Sequence, residues 1–139
     1  MTESSQPQPE VAENRIAAAV FRAALAIHQS LGPGLFESVY EAILAHELRK
    51  SGHKVEAQVQ VPLVWDGISF EKALRADLIV DGLVLVEIKA TAELPRVAAK
   101  QVATYLRLTG LRLGLLVNFG AELLKHGFQR VANGLPDER

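Results

Sequence analysis

An α/β fold with a mixed central sheet flanked by helices is predicted by three features of the sequence. Apolar residues recur at helical spacing in two segments near the N-terminus and in one later segment. Between these segments the pattern alternates with period two, in strands that meet at Asp66-Gly67 and Asp81-Gly82. A near-continuous apolar run then follows the last helix, which is typical of a strand reached by a helical crossover. The predicted order is therefore α-α-β-β-β-α-β, with antiparallel hairpins before one β-α-β unit.

The two N-terminal helices are predicted over residues 14–31 and 36–51. Each carries an apolar stripe at spacings of three and four residues. The Gly32-Pro33-Gly34 turn ends the first helix, and Gly52 is a natural residue to follow the second.

The remaining elements are read from alternation and turn signals. Pro62 cannot donate to a ladder, so its strand is expected at an edge or with a bulge. Core or edge packing is expected for Trp65 and Phe70, which belong to the first hairpin. The predicted spans are strands over residues 55–65, 68–80 and 83–90, a helix over 93–109, a strand over 111–118 and a last short strand over 127–131.

Length and composition favour a single globular domain over residues 14–132. The chain has 139 residues, of which 49% are hydrophobic and 22% charged, and it contains no cysteine. Residues 1–13 are expected to form a disordered tail and residues 133–139 a C-terminal tail. Without a bilayer-spanning run or a secretory signal, a cytoplasmic protein with no membrane partner is expected. The net charge of −1 argues against bulk electrostatic coating of nucleic acid.

The most unusual stretch is RADLIVDGLVLVEIKA, residues 75–90, because the charged residues Asp77, Glu87 and Lys89 lie within the strands of a predominantly apolar hairpin. Buried charges are costly unless they are paired, hydrogen-bonded or metal-bound. Glu87 and Lys89 share one face of their strand. A two-residue turn would place Asp77 opposite Val86, on the wrong face. A three-residue loop formed by residues 80–82 would place Asp77 opposite Leu85, on the shared face. We predict the three-residue loop.

Two carboxylates and a lysine on one face suit a hard divalent cation, Mg²⁺ or Mn²⁺. Such a cation would support phosphodiester hydrolysis by polarising the phosphoryl group and lowering the pKa of a water molecule. Lys89 would orient that water or hold the phosphate. The alternative from spacing alone is a charged pair on a half-exposed strand, although the apolar flanks of this strand weigh against it.

The arrangement resembles the PD-(D/E)XK nuclease superfamily. Asp77 matches its first acid, residues 87–89 match its E-x-K element, and the α-β-β-β-α-β order matches its restriction-endonuclease-like core. Upstream, GLFESVY at residues 34–40 resembles the signature of the small bacterial GxxExxY proteins, a group placed in this superfamily. The similarity extends over residues 14–131. One departure is Ala76, where the superfamily often has proline before the first acid.

The resemblance implies a role for each site residue. The metal would be held by Asp77, Glu87, the Ile88 carbonyl and Glu37, and Lys89 would position or activate water. Gln101 and Tyr105 would line the site, as in RecB-type exonucleases. Read alone, Glu37 is also explained as a helix N-terminal acid favoured by the macrodipole. Tyr105 is also explained as a core residue, and Gln101 as a boundary residue.

These implications predict that the protein is a Mg²⁺- or Mn²⁺-dependent nuclease, with DNA favoured over RNA as its substrate. The alternative is an inactive nuclease-fold module that binds nucleic acid or a protein partner. A subunit of a larger repair or defence assembly, or a homodimer, is also compatible with so short a chain.

Overall fold

A mixed five-stranded sheet between helices forms the fold in the computed structural model, which describes residues 11–136. The mixed α/β architecture predicted from the sequence is confirmed. None of the described helices is long and apolar enough to cross a bilayer. The elements are α1 (Ala12–Leu31), α2 (Glu37–Lys50), β1 (Val55–Trp65), β2 (Ile68–Val80), β3 (Val84–Lys89), α3 (Val97–Thr109), β4 (Leu113–Asn118), a 3₁₀ turn (Leu124–His126) and β5 (Phe128–Ala132).

The strands lie in the order β1-β2-β3-β4-β5, so β1 is an edge strand. β3 and β4 are parallel, joined through α3, and the other neighbours are antiparallel. One face of the sheet packs against α1 and α2, and the opposite face packs against α3. The edge position and the register shift between Val61 and Leu63 agree with what Pro62 predicts.

The N-terminal tail predicted over residues 1–13 is wrong at its boundary, because α1 begins at Ala12. Residues 1–10 lie outside the described part of the chain, as do residues 137–139. The Glu13 side chain is only 3% exposed, and its two oxygens accept hydrogen bonds of 2.8 and 2.9 Å from Arg112. These bonds hold the pKa of Glu13 below its ordinary value. An acid assigned to a tail is therefore a buried partner that ties α1 to the start of β4.

The tip of the β1–β2 hairpin projects beyond the rest of the sheet. β1 and β2 pair as far as Trp65 and Ile68, whereas β2 pairs with β3 only from Leu78 onward. Trp65 is therefore 69% exposed and Phe70 is 48% exposed. Core or edge packing, which the sequence suggested for these two rings, is wrong because no third strand or helix among residues 11–136 covers them.

Candidate metal-dependent active site

The turn between β2 and β3 brings the charged residues of the hairpin together. Val80 pairs with Val84, so the loop has three residues, as predicted. It is formed by residues 81–83, however, and not by residues 80–82. Asp81 and Gly82 have φ values of 54° and 66°, and the Leu83 N–H donates to the Val80 carbonyl at 3.0 Å. The register therefore places Asp77 beside Glu87. The predicted partner, Leu85, is wrong by two positions, but the predicted face is unchanged.

At this point the two acidic side chains replace the strand ladder. The last backbone pair between β2 and β3 joins Leu78 to Val86. Beyond it the Asp77 N–H donates to Glu87 Oε1 at 3.0 Å, and the Ile88 N–H donates to Asp77 Oδ2 at 2.8 Å. Each bond uses one carboxylate oxygen, so the second oxygen of each side chain can face a ligand. The separation of the strands thus fixes both carboxylates at one site.

Glu87 is the most strongly perturbed acid of this site. Its residue is 8% exposed, and burial together with the neighbouring Asp77 charge raises its pKa to about 7. The Lys89 charge opposes this rise, as expected for two residues that share one face of β3. Because the two carboxylates repel each other in a site shielded from water, a bound cation would stabilise their ionised forms.

Helix α2 contributes a carboxylate that sequence reasoning missed. Burial and the Asp77 carboxylate raise the pKa of Glu41, whereas the Gln58 amide lowers it. Gln58 Nε2 donates to Glu41 Oε1 at 2.7 Å and to Oε2 at 2.8 Å. Glu37 lies one turn earlier and is exposed, and its charge is the last of the causes acting on the Glu87 pKa. The spacing of four residues puts both acids on one helix face, and this was the signal available in the sequence.

The turn between α1 and α2 is held in place by Tyr40, which is fully buried. Its hydroxyl donates to the Gly32 carbonyl at 2.5 Å and accepts from the Leu35 N–H at 3.2 Å. Its ring stacks on Phe119 at a centroid distance of 4.4 Å. Tyr40 thereby fixes the turn that leads into Glu37, which gives the tyrosine of the GLFESVY segment a physical role.

Helix α3 brings one of its two predicted residues to the acids. Tyr105 is partly buried, and its pKa is raised by burial and by the charges of Glu87 and Asp77. Gln101, one turn earlier, is exposed, and its side chain forms no hydrogen bond with another described residue. Tyr105 therefore lies near enough to feel the charges of both acids, whereas the structure gives Gln101 no contact with the carboxylates.

The end of β3 is held in place by Asn118 of β4. Asn118 lies opposite Lys89 in the parallel register and is almost fully buried. Its Oδ1 accepts from the N–H groups of Thr91 and Gly120, both at 3.0 Å, and its Nδ2 donates to the Thr91 carbonyl at 2.9 Å. The Phe119 N–H donates to the Lys89 carbonyl at 2.8 Å. These bonds fix the backbone that carries Lys89.

The donor set fits a hard divalent cation. Among residues 11–136 no three acidic, cysteine or histidine side chains already surround a single point as metal ligands do. Mg²⁺, however, usually takes one or two protein carboxylates and completes its shell with water and phosphate oxygens. The carboxylates of Asp77 and Glu87 could supply that minimum, and Glu41 interacts with Asp77 through its charge and is a further candidate oxygen donor.

Comparison with known proteins agrees with this geometry. A family model described as the PD-(D/E)XK nuclease superfamily matches residues 14–131, which is most of the chain. No curated protein and no solved structure shows significant similarity to it.

Proposed function

The chain belongs to the PD-(D/E)XK nuclease superfamily, and we propose that it hydrolyses phosphodiester bonds in nucleic acid at Asp77, Glu87 and Lys89 with a divalent cation. The observation that carries this proposal is a pair of hydrogen bonds where β2 and β3 separate. The Asp77 N–H donates to the Glu87 carboxylate and the Ile88 N–H donates to the Asp77 carboxylate, so both acids are held at one place. The raised pKa of Glu87 supports it, because an ionised Glu87 is stabilised by a nearby cation.

Each residue has a distinct role in the proposed reaction. Asp77, Glu87 and the Ile88 carbonyl would hold Mg²⁺ or Mn²⁺, with a helical acid, Glu41 or Glu37, completing the oxygen donors. The cation supplies Lewis-acid polarisation of the phosphodiester. Lys89 holds the attacking water or a phosphate oxygen on the open side of the site. The water oxygen bonds to phosphorus and gives up a proton to the surrounding solvent, the phosphorus–oxygen bond to the leaving strand breaks, and the leaving oxygen takes up a proton from solvent.

A local positive charge supports nucleic acid as the substrate. Arg75 is exposed on β2, two residues before Asp77, and its charge lowers the pKa values of both Glu41 and Tyr105. An arginine beside the acids is placed to contact a backbone phosphate. We propose that the substrate is DNA and not RNA, and that the protein is cytoplasmic. We also propose that it acts as a homodimer or within a larger assembly.

Cleavage of labelled single- and double-stranded DNA and RNA with Mg²⁺ or Mn²⁺ tests the proposal. Wild type should cleave at least one substrate, and Lys89→Ala should not. Lys125→Ala, which removes an exposed lysine of the 3₁₀ turn, is the matched control and should cleave like wild type. Equal cleavage by wild type and Lys89→Ala would refute the assigned site. Binding without cleavage by either protein would favour the inactive module.

A further inference from the structure

Gln58 adopts a backbone conformation that its residue type rarely takes. Its φ is 55°, although it lies inside β1. The other described non-glycine residues with positive φ are Asp66 and Asp81, and each belongs to a turn. Aspartate tolerates this region because its short side chain bonds locally, whereas glutamine has no such advantage. Strain of this kind persists only where surrounding interactions determine the conformation, and it concentrates at functional sites.

The strained residue lies at the level of the first acid of the site. Ala57 pairs with Leu78 and Val59 pairs with Ala76, so the register puts Gln58 opposite Asp77. This is the same point at which β2 leaves the ladder with β3. The left-handed residue of the edge strand therefore neighbours the active-site acid directly.

The side chain of Gln58 spans from β1 to α2. Its Nε2 donates to both oxygens of Glu41, at 2.7 and 2.8 Å. Glu41 and Asp77 are like charges in close proximity, so a freely rotating Glu41 carboxylate would turn away into solvent. A donor to both of its oxygens keeps it beside Asp77.

The choice of residue separates a functional explanation from a structural one. If the chain needed only a left-handed residue at this position, glycine or asparagine would supply it with less strain. Glycine has no amide side chain, and asparagine is one methylene shorter than glutamine. The sequence therefore keeps the costlier residue whose amide reaches Glu41.

We propose that Gln58 is a positioning residue, whose left-handed backbone aims its amide so that Glu41 is held beside Asp77 as a third oxygen donor for the divalent cation. This inference rests on the proposed metal-dependent function. It adds that Glu41, and not only the signature acid Glu37, serves the cation, and that an edge-strand glutamine holds it there. Loss of such an outer partner typically lowers metal affinity or activity by about 10- to 100-fold.

Gln58→Gly tests the inference through stability and cation binding together. Glycine relieves the strained φ, so the urea midpoint should equal or exceed that of wild type. Mn²⁺ affinity, measured by calorimetry without nucleic acid, should fall by about tenfold or more, and cleavage should fall with it. Gln58→Asn should lose affinity to a similar degree because its amide is too short. Asp66→Gly, which relieves a φ of 47° at the exposed hairpin turn, is the matched control and should keep wild-type affinity.

The outcomes separate this inference from the proposed function. Unchanged Mn²⁺ affinity in Gln58→Gly would overturn the inference, whether or not the wild type cleaves nucleic acid. A large fall in the urea midpoint with unchanged affinity would assign Gln58 a purely structural role and also overturn it. If wild type cleaves nothing but Gln58→Gly still weakens Mn²⁺ binding, the positioning role stands and the nuclease proposal fails.

Discussion

Replacing Glu87 by glutamine should stabilise the folded protein at neutral pH while removing its proposed activity. The folded-state pKa of Glu87 is about 7, against 4.5 for the unperturbed group. Between these pH values the folded protein retains a proton that the unfolded chain has lost. Stability therefore falls as pH rises from about 4.5 to 7, by about 1.4 kcal/mol per pH unit, and stays constant above. The total cost of ionising Glu87 is about 3 kcal/mol.

Urea denaturation between pH 4.5 and 8.5, with EDTA present, measures this cost. Relative to Glu87→Gln, wild type should lose about 3 kcal/mol of unfolding free energy over this range. The glutamine oxygen can still accept from the Asp77 N–H, so the variant keeps the hydrogen bond that Glu87 Oε1 makes. Adding Mg²⁺ should restore part of the loss in wild type and none in the variant.

Glu71→Gln, an exposed acid of the β1–β2 hairpin, is the control and should follow the wild-type pH profile. The reasoning fails if Glu87→Gln is no more stable than wild type at pH 8, or if the two profiles run parallel. Parallel profiles would mean that Glu87 ionises in the folded protein as easily as in the unfolded chain.

Three further predictions concern the scaffold. Asn118→Ala removes the hydrogen bonds that the buried Asn118 side chain makes with the backbone N–H and carbonyl of Thr91, so denaturation should show a loss of about 2 kcal/mol, with slower cleavage because the end of β3 loosens. Arg112→Met should lower the urea midpoint at neutral pH, and this difference should vanish as acid protonates Glu13, whose pKa Arg112 lowers. Trp65→Ala should change the free energy of unfolding by only about 0.5 kcal/mol, and a loss of several kcal/mol would mean that the ring is covered.

The hairpin shows what the sequence could and could not determine. The Asp-Gly pair predicted a turn at this position, but it did not determine the length of the loop. The three-residue length was predicted correctly because it brings Asp77 to the face of Glu87 and Lys89. The position of that loop depended on which neighbouring apolar residue joined the core. Val80 is fully buried at the end of β2, whereas Leu83 is 37% exposed in the loop. Hydrophobicity alone does not distinguish a valine from a leucine in this choice.

Contacts between distant elements account for the other differences. Glu37 was singled out because it belongs to a recognised signature, whereas the packing of α2 on the sheet brings Glu41 near enough to Asp77 for the two charges to interact. Glu13 was assigned to a tail because its partner, Arg112, is far away in sequence. The four-residue spacing shows only that Glu37 and Glu41 share a helix face. The contact of α2 with the site and the pairing of Glu13 with Arg112 both required the assembled fold.

The most direct test of the account is the rate of DNA cleavage as a function of Mg²⁺ concentration for wild type and Asp77→Asn. Asp66→Asn, at the exposed hairpin turn, is the matched control for loss of one carboxylate. The account predicts a saturable Mg²⁺ dependence for wild type and Asp66→Asn, and a loss of at least about 100-fold for a folded Asp77→Asn. Cleavage by Asp77→Asn at the wild-type rate, or a wild-type rate unchanged by removing divalent cations, would contradict it.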